Sequence, residues 1–167
     1  MEKILVSACL LGERVRYDGA ESKIDNQIFD EWHREGRLIP VCPEMAGGLP
    51  SPRPAAEIFC GDGAAVLAGM NQVVDIRGRD VTNYFLQGAA IAVQLVRQHH
   101  IKLAILKDGS PSCGSNTIYD GSFTGTKIPG QGITTLMLEQ QGVRVFAETE
   151  INSAAQWLER LERARAQ

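Results

Sequence analysis

Three of the four cysteines in this 167-residue chain, Cys9, Cys42 and Cys113, each follow a short apolar run of strand type. Thiolates that meet in space hold metal, so three thiols at three strand ends point to one metal centre rather than to unrelated buried thiols. Cys60 does not follow a strand and reads as an ordinary buried cysteine. Spacing does not choose the metal, because the chain has neither a C-x-x-C pair of the zinc-finger type nor a ferredoxin run. Three ligands leave one position on a zinc or iron free to take a substrate directly.

Polar groups near these cysteines could move protons or hold a substrate. Glu44 lies two residues after Cys42 and is a candidate proton donor and acceptor, the alternative being a solvated loop carboxylate. Ser110 and Ser112 flank Pro111 just before Cys113, where hydroxyls either orient a substrate or close the turn. Arg53 and Glu57 either pair with each other or anchor a polar heterocycle, with the ion pair preferred. Asp18 either faces the site or belongs to an Asp-Gly turn. His33, His99 and His100 lie on helices or their ends and are assigned to no metal.

The elements that must position these groups alternate between strand and helix. Residues 3–8 form a strand ending at Cys9, and Asn26 caps a helix carrying Ile28, Phe29 and Trp32 and stopped by Gly36. A second strand runs to Cys42, with Pro40 marking a bend or an irregular end. A proline-rich loop covers residues 43–54. Short strands are expected over 57–67, around Gly61-Asp62-Gly63, and again over 73–76. Asp80 caps the longest helix, with Tyr84, Leu86, Ile91, Leu95 and Val96 as its apolar face.

Leu103 to Leu106 is a central strand before the loop that holds Cys113. A helix over 133–141 leads to a strand over 143–146. The last helix has Ser153 and Gln156 as a capping box and Trp157, Leu158 and Leu161 as its inward stripe. This order predicts a single α/β domain over residues 1–167, with a Rossmann-like three-layer fold and a mainly parallel sheet covered on both faces. Ligands of open α/β sheets bind beyond the carboxyl ends of the strands, where the three cysteines fall.

Bulk properties exclude several classes. A net charge of −3 gives no footprint for stable nucleic-acid binding. No apolar run reaches membrane-spanning length, and the chain opens without a signal-peptide pattern, so a cytoplasmic protein is expected. Four widely spaced cysteines do not make a secreted disulfide scaffold. The segments 61–66 and 121–127 fall short of a dinucleotide fingerprint and a P-loop, so no nucleotide cofactor is expected.

Taken together, Val6-Ser7-Ala8-Cys9-Leu10-Leu11-Gly12, Val41-Cys42-Pro43-Glu44, Pro52-Arg53-Pro54 and Lys107-Asp108-Gly109-Ser110-Pro111-Ser112-Cys113-Gly114 resemble the thiouracil desulfidase family, also called domain of unknown function 523. The resemblance implies a 4Fe-4S cluster held by Cys9, Cys42 and Cys113, with the fourth iron open to the substrate's sulfur. It also implies acid/base work for Glu44, support from Ser110, and substrate contacts from Ser112, Arg53 and Asp18. The implied reaction hydrolyses a small thiolated pyrimidine, 2-thiouracil, to uracil and hydrosulfide. Alternatives are 4-thiouracil, thiouridine or thiolated nucleotides as substrates, or an electron-transfer iron-sulfur protein; the oligomeric state stays open. Some relatives carry a further domain and act on thiolated nucleosides or transfer RNA, so a free base is the expected substrate here.

Overall fold

The computed structural model describes residues 1–167. Strands β1 (Ile4–Ser7), β2 (Leu38–Val41), β5 (Leu103–Leu106) and β8 (Arg144–Ala147) form one parallel sheet in the order β2-β1-β5-β8. Consecutive strand residues face opposite sides, so each strand feeds two cores. Ile4, Val6, Leu103 and Ile105 pack with Phe29 and Trp32 of helix α1 (Gln27–Arg34) and Leu158 of α6 (Ile151–Ala166). Leu5, Ala104 and Leu106 pack on the other face with Ala92, Val93 and Val96 of α4 (Thr82–Gln98) and Leu138 of α5 (Ile133–Gln140). The result is the expected three-layer α/β fold, with the central strands β1 and β5 buried on both sides.

Several local expectations need correction. Residues 57–67 are not all strand. Only β3 (Ala56–Ile58) is extended, paired antiparallel with β4 (Val73–Asp75), while α3 (Gly63–Leu67) starts where Asp62 accepts from the Ala65 amide at 3.2 Å. An Asp-Gly pair next to small residues caps a helix as readily as it turns a strand.

On α4 the packed face is Phe85, Gly88, Ala89, Ala92, Val93 and Val96, whereas Tyr84 and Ile91 are exposed. Size explains the rotated face: short helix α2 (Pro43–Ala46) lies so close that a Cβ on Gly88 would sit 1.8 Å from the Pro43 carbonyl oxygen. Small residues therefore take the contact, and the larger ones turn outward.

The last helix begins at Ile151, so Ser153 and Gln156 lie inside it and do not form a capping box. Glu150 instead accepts from the Ala147 amide at 2.8 Å. Cys60 is exposed rather than buried and has a left-handed backbone, φ +52°.

The remaining expectations divide. Asn26 accepts from the Phe29 amide at 3.1 Å and caps α1. The cap expected at Asp80 is displaced: Val81 stands at the N-cap of α4, and Asp80, one residue earlier, accepts from the Thr82 amide at 2.9 Å. Pro40 makes no bend: it lies within edge strand β2, in register with Val6, where a missing donor costs the sheet nothing on the open side. No helix is long and apolar enough to cross a membrane.

A second, smaller body completes the molecule. The pair β3/β4 and helix α3 share a core with Phe85, Ala89, Ile118 and Ile133. Strands β6 (Thr117–Tyr119) and β7 (Lys127–Pro129) form an antiparallel hairpin beside it.

Candidate active site

All three strand-end cysteines line one pocket of about 350 Å³ at the carboxyl edge of the sheet. Each arrives by a different local device. Cys9 lies in a 3-10 turn (Ala8–Leu11) that follows β1 directly, and its carbonyl accepts from the Ser22 amide at 2.9 Å. Cys42 stands at the N-cap of α2, immediately after β2, with Pro43 at the first helical position. Cys113 follows β5 through a tight loop, and its amide donates to Ser110 Oγ at 2.7 Å. Topology thus gathers thiols that are remote in sequence. None is in a disulfide.

The thiols share one buried environment. Burial, followed by Cys42, pushes the Cys9 thiol up to about 11, against the pull of Arg16 and Lys107. Burial likewise raises Cys113, with Glu44, Cys42 and Cys9 adding to it. Cys42 is raised mainly by burial, while the Met45 amide and Arg53 oppose the shift. No three or more His, Cys, Asp or Glu side chains gather tightly enough to hold a single metal ion.

Glu44 lines the same pocket, and its side chain keeps 16% of its exposure. Burial pushes its carboxyl up, opposed by Arg53, whose guanidinium stands 3.5 Å away. Arg53 also lines the pocket and is fixed by donating to the carbonyls of Val15 at 2.9 Å and Pro50 at 3.0 Å. Its Nε is buried without a partner. The expected Arg53–Glu57 ion pair does not form. Glu57 instead accepts from the amides of Gly121 at 2.9 Å and Phe123 at 3.3 Å.

The two serines separate. Ser110 lines the pocket, and its Oγ accepts from the amides of Ser112 and Cys113, which leaves its own proton free to donate. Ser112 is fully buried outside the pocket lining and is bonded to Thr134 Oγ1 at 2.8 Å. Asp18 also lies outside the lining: it accepts from the Ala20 amide at 3.0 Å and stands 3.5 Å from Arg16. His33, His99 and His100 are exposed and remote from the pocket lining.

Sequence reasoning missed the supports of the Cys113 loop. Asp108 Oδ1 accepts from the amides of Gly109, Ser115, Asn116 and Thr117. Burial alone would raise its pKa, yet these amides hold it below the usual carboxylate range. Glu148, just past β8, accepts from the Asp108 amide at 2.8 Å and from Lys107 Nζ at 3.0 Å. Ser7 Oγ accepts from the Lys107 amide at 2.9 Å. The available signal was position: Ser7 is the polar end of an apolar strand, and Lys107-Asp108 and Glu148 follow two others. Tyr17 and Phe123, which also line the pocket, carried no such signal.

The arrangement offers three soft donors, a carboxylate, a guanidinium and a free hydroxyl around one cavity. Comparison with known proteins agrees. The family model described as 2-thiouracil desulfurase matches residues 4–150. The uncharacterized protein YbbK of Bacillus subtilis (strain 168) is 42% identical over 151 residues, spanning 89% of this chain and 97% of that protein. The solved structure of the 4Fe-4S-dependent thiouracil desulfidase TudS (DUF523Vcz) matches with a TM-score of 0.87 and 45% identity, covering 95% of this chain and 99% of that one. The chain belongs to the 2-thiouracil desulfurase family, a family of enzymes.

Proposed function

We propose that residues 1–167 form one desulfidase unit that hydrolyses a small thiolated pyrimidine, 2-thiouracil by preference, to uracil and hydrosulfide. The carrying observation is that Cys9, Cys42, Cys113 and Glu44 share one pocket. The donor set, three soft thiols around one cavity whose lining holds no fourth thiol, fits a 4Fe-4S cluster. Four free cysteines also suit a reducing compartment, the cytoplasm.

When bound through the three cysteines, the cluster supplies an open iron as a Lewis acid for the thiocarbonyl sulfur. The chain's own groups do the rest. Glu44 accepts a proton from the water that adds to the thiocarbonyl carbon, and Arg53 keeps that carboxylate aimed into the pocket. Ser110 donates a hydrogen bond to the substrate through its free O–H and orients it. A carbon–oxygen bond forms, the carbon–sulfur bond breaks, and hydrosulfide leaves with the proton balance returned through Glu44. No electron is gained or lost. Ser112 and Asp18, being outside the pocket lining, serve this reading only indirectly, Ser112 by fixing the Cys113 loop against Thr134.

The test is anaerobic turnover of 2-thiouracil by the reconstituted protein. Uracil and hydrosulfide should appear in equal amounts without added reductant. Glu44→Gln should keep the cluster's visible absorption while its rate falls by about two orders of magnitude or more. Wild-type turnover in that variant, or a need for an electron donor in each cycle, overturns the mechanism.

A further inference from the structure

Glu57 is a carboxylate that the mechanism above does not use. It occupies the middle of β3, opposite Val74, and lines the pocket while keeping only 7% of its exposure. No cation stands within ion-pair distance of it, because the Arg53 guanidinium is turned to Glu44 and to two carbonyls. Burying a carboxylate this deeply is costly unless its oxygens are met by donors.

One oxygen is met and the other is not. Glu57 Oε1 takes both the Gly121 and the Phe123 amides. Oε2 takes no bond, and it is not among the sealed side-chain atoms left without a partner, which are Arg53 Nε, Ser115 Oγ and Trp157 Nε1. It therefore keeps some exposure, and Glu57 is one of the residues that line the pocket. The site thus presents a fixed acceptor that seeks an N–H.

A thiolated pyrimidine carries such a donor. Each ring N–H beside a thiocarbonyl or carbonyl is an amide-like donor, which neither the sulfur nor the exocyclic oxygen can imitate. We infer that Glu57 Oε2 accepts one ring N–H of the substrate and so sets the ring's rotation in the pocket. The inference rests on the desulfidase reading and deepens it. The same carboxylate holds the backbone of Phe123, whose side chain lines the pocket, so recognition of the ring edge and placement of an apolar wall are tied to one group. Gly121 makes this possible: at φ +93° a Cβ would stand 2.6 Å from the Ile58 carbonyl oxygen, so only glycine brings its amide this close to β3.

Glu57→Gln separates the two tasks. The amide oxygen can still accept from Gly121 and Phe123, while the amide nitrogen replaces the acceptor that faces the substrate. In the anaerobically reconstituted enzyme, KM for 2-thiouracil should rise by about 10- to 100-fold, with unchanged cluster absorption and a smaller effect on kcat. One of the two isomers, 1-methyl- or 3-methyl-2-thiouracil, lacks the contacted N–H. It should bind wild type poorly and lose less than about threefold further in the variant, while the other isomer behaves as the parent. Calorimetric binding of uracil and its two N-methyl derivatives to the wild-type holoenzyme reads the same contact without turnover and without any variant.

Equal losses for all three thiouracils in Glu57→Gln would assign the residue to the loop alone and overturn the inference. So would wild-type binding of both methyluracils as tightly as uracil. If wild type releases no hydrosulfide from 2-thiouracil, the desulfidase reading fails and takes this inference with it. Normal release without N–H discrimination removes only the role of Glu57.

Discussion

The two walls of the pocket are held by different means. The thiol wall is the carboxyl edge of the parallel sheet, where Cys9, Cys42 and Cys113 are placed by backbone: a 3-10 turn, a helix N-cap and a loop nailed down by Asp108. Behind it lie two apolar cores in which most strand residues are fully buried. The facing wall comes from β3 and the loop of the β6/β7 hairpin, and a side chain, Glu57, binds that loop to the strand. Large apolar residues here, such as Ile76 and Phe59, remain exposed. The contrast teaches that the fixed half of the site is written into topology, whereas the adaptable half depends on a few side-chain contacts.

Breaking the thiol wall should have the largest effect. Cys9→Ser, Cys42→Ser and Cys113→Ser should each abolish stable iron and sulfide binding, since a neutral hydroxyl is a poor iron ligand beside a thiolate. Cys60→Ser, at an exposed position away from the pocket lining, should retain the full complement. Iron content and visible absorption decide this. Equal loss in all four variants, or retention in the first three, would erase the distinction between the walls.

A smaller effect should follow from forcing apart the supports of Cys42. Gly88→Val puts bulk where a Cβ already meets the Pro43 carbonyl oxygen at 1.8 Å, so α2 must shift and Cys42 at its N-cap with it. Overpacking of about 1–3 kcal/mol should lower the midpoint of thermal unfolding by about 3–10 °C. Iron content should fall as well. Unchanged loading at a lowered midpoint would show that Cys42 is held independently of α4.

These two sets of residues were unequally legible. The strand-end position of the three cysteines could be read from apolar runs alone, because a parallel strand buried on both faces leaves an unmistakable pattern and ends where polarity begins. The face of α4 was misread because the packed residues are small, and hydropathy rewards the larger Leu86, Ile91 and Leu95 over Gly88, Ala89 and Ala92. Arg53 and Glu57 were paired on proximity in sequence and opposite charge. The fold instead gives Arg53 to Glu44 and Glu57 to backbone amides more than sixty residues away. Such long-range contacts leave no periodic signal, which is why the adaptable wall was the harder one to foresee.

The gentlest perturbation sharpens the contrast from the other side. Gly121→Ala strains a backbone at φ +93° and crowds the Ile58 carbonyl oxygen, a penalty of about 1–3 kcal/mol confined to the facing wall. Cluster absorption should be normal, and KM for 2-thiouracil should rise by about 3- to 10-fold with little change in kcat. Loss of iron in this variant would mean that the two walls are coupled and that the comparison fails.

The all-parallel sheet also dictates an order of events in the life of the chain. Parallel neighbours cannot be joined by a hairpin, so β1, β2 and β5 pair only after long crossover segments have closed, and contacts of this kind form late in folding. The three thiols come together only when those pairings are in place. An unfolded chain therefore has no preassembled ligand set, and binding of any group by all three thiols is coupled to formation of the sheet. Assembly of the ligand set and formation of the parallel sheet are thus one event.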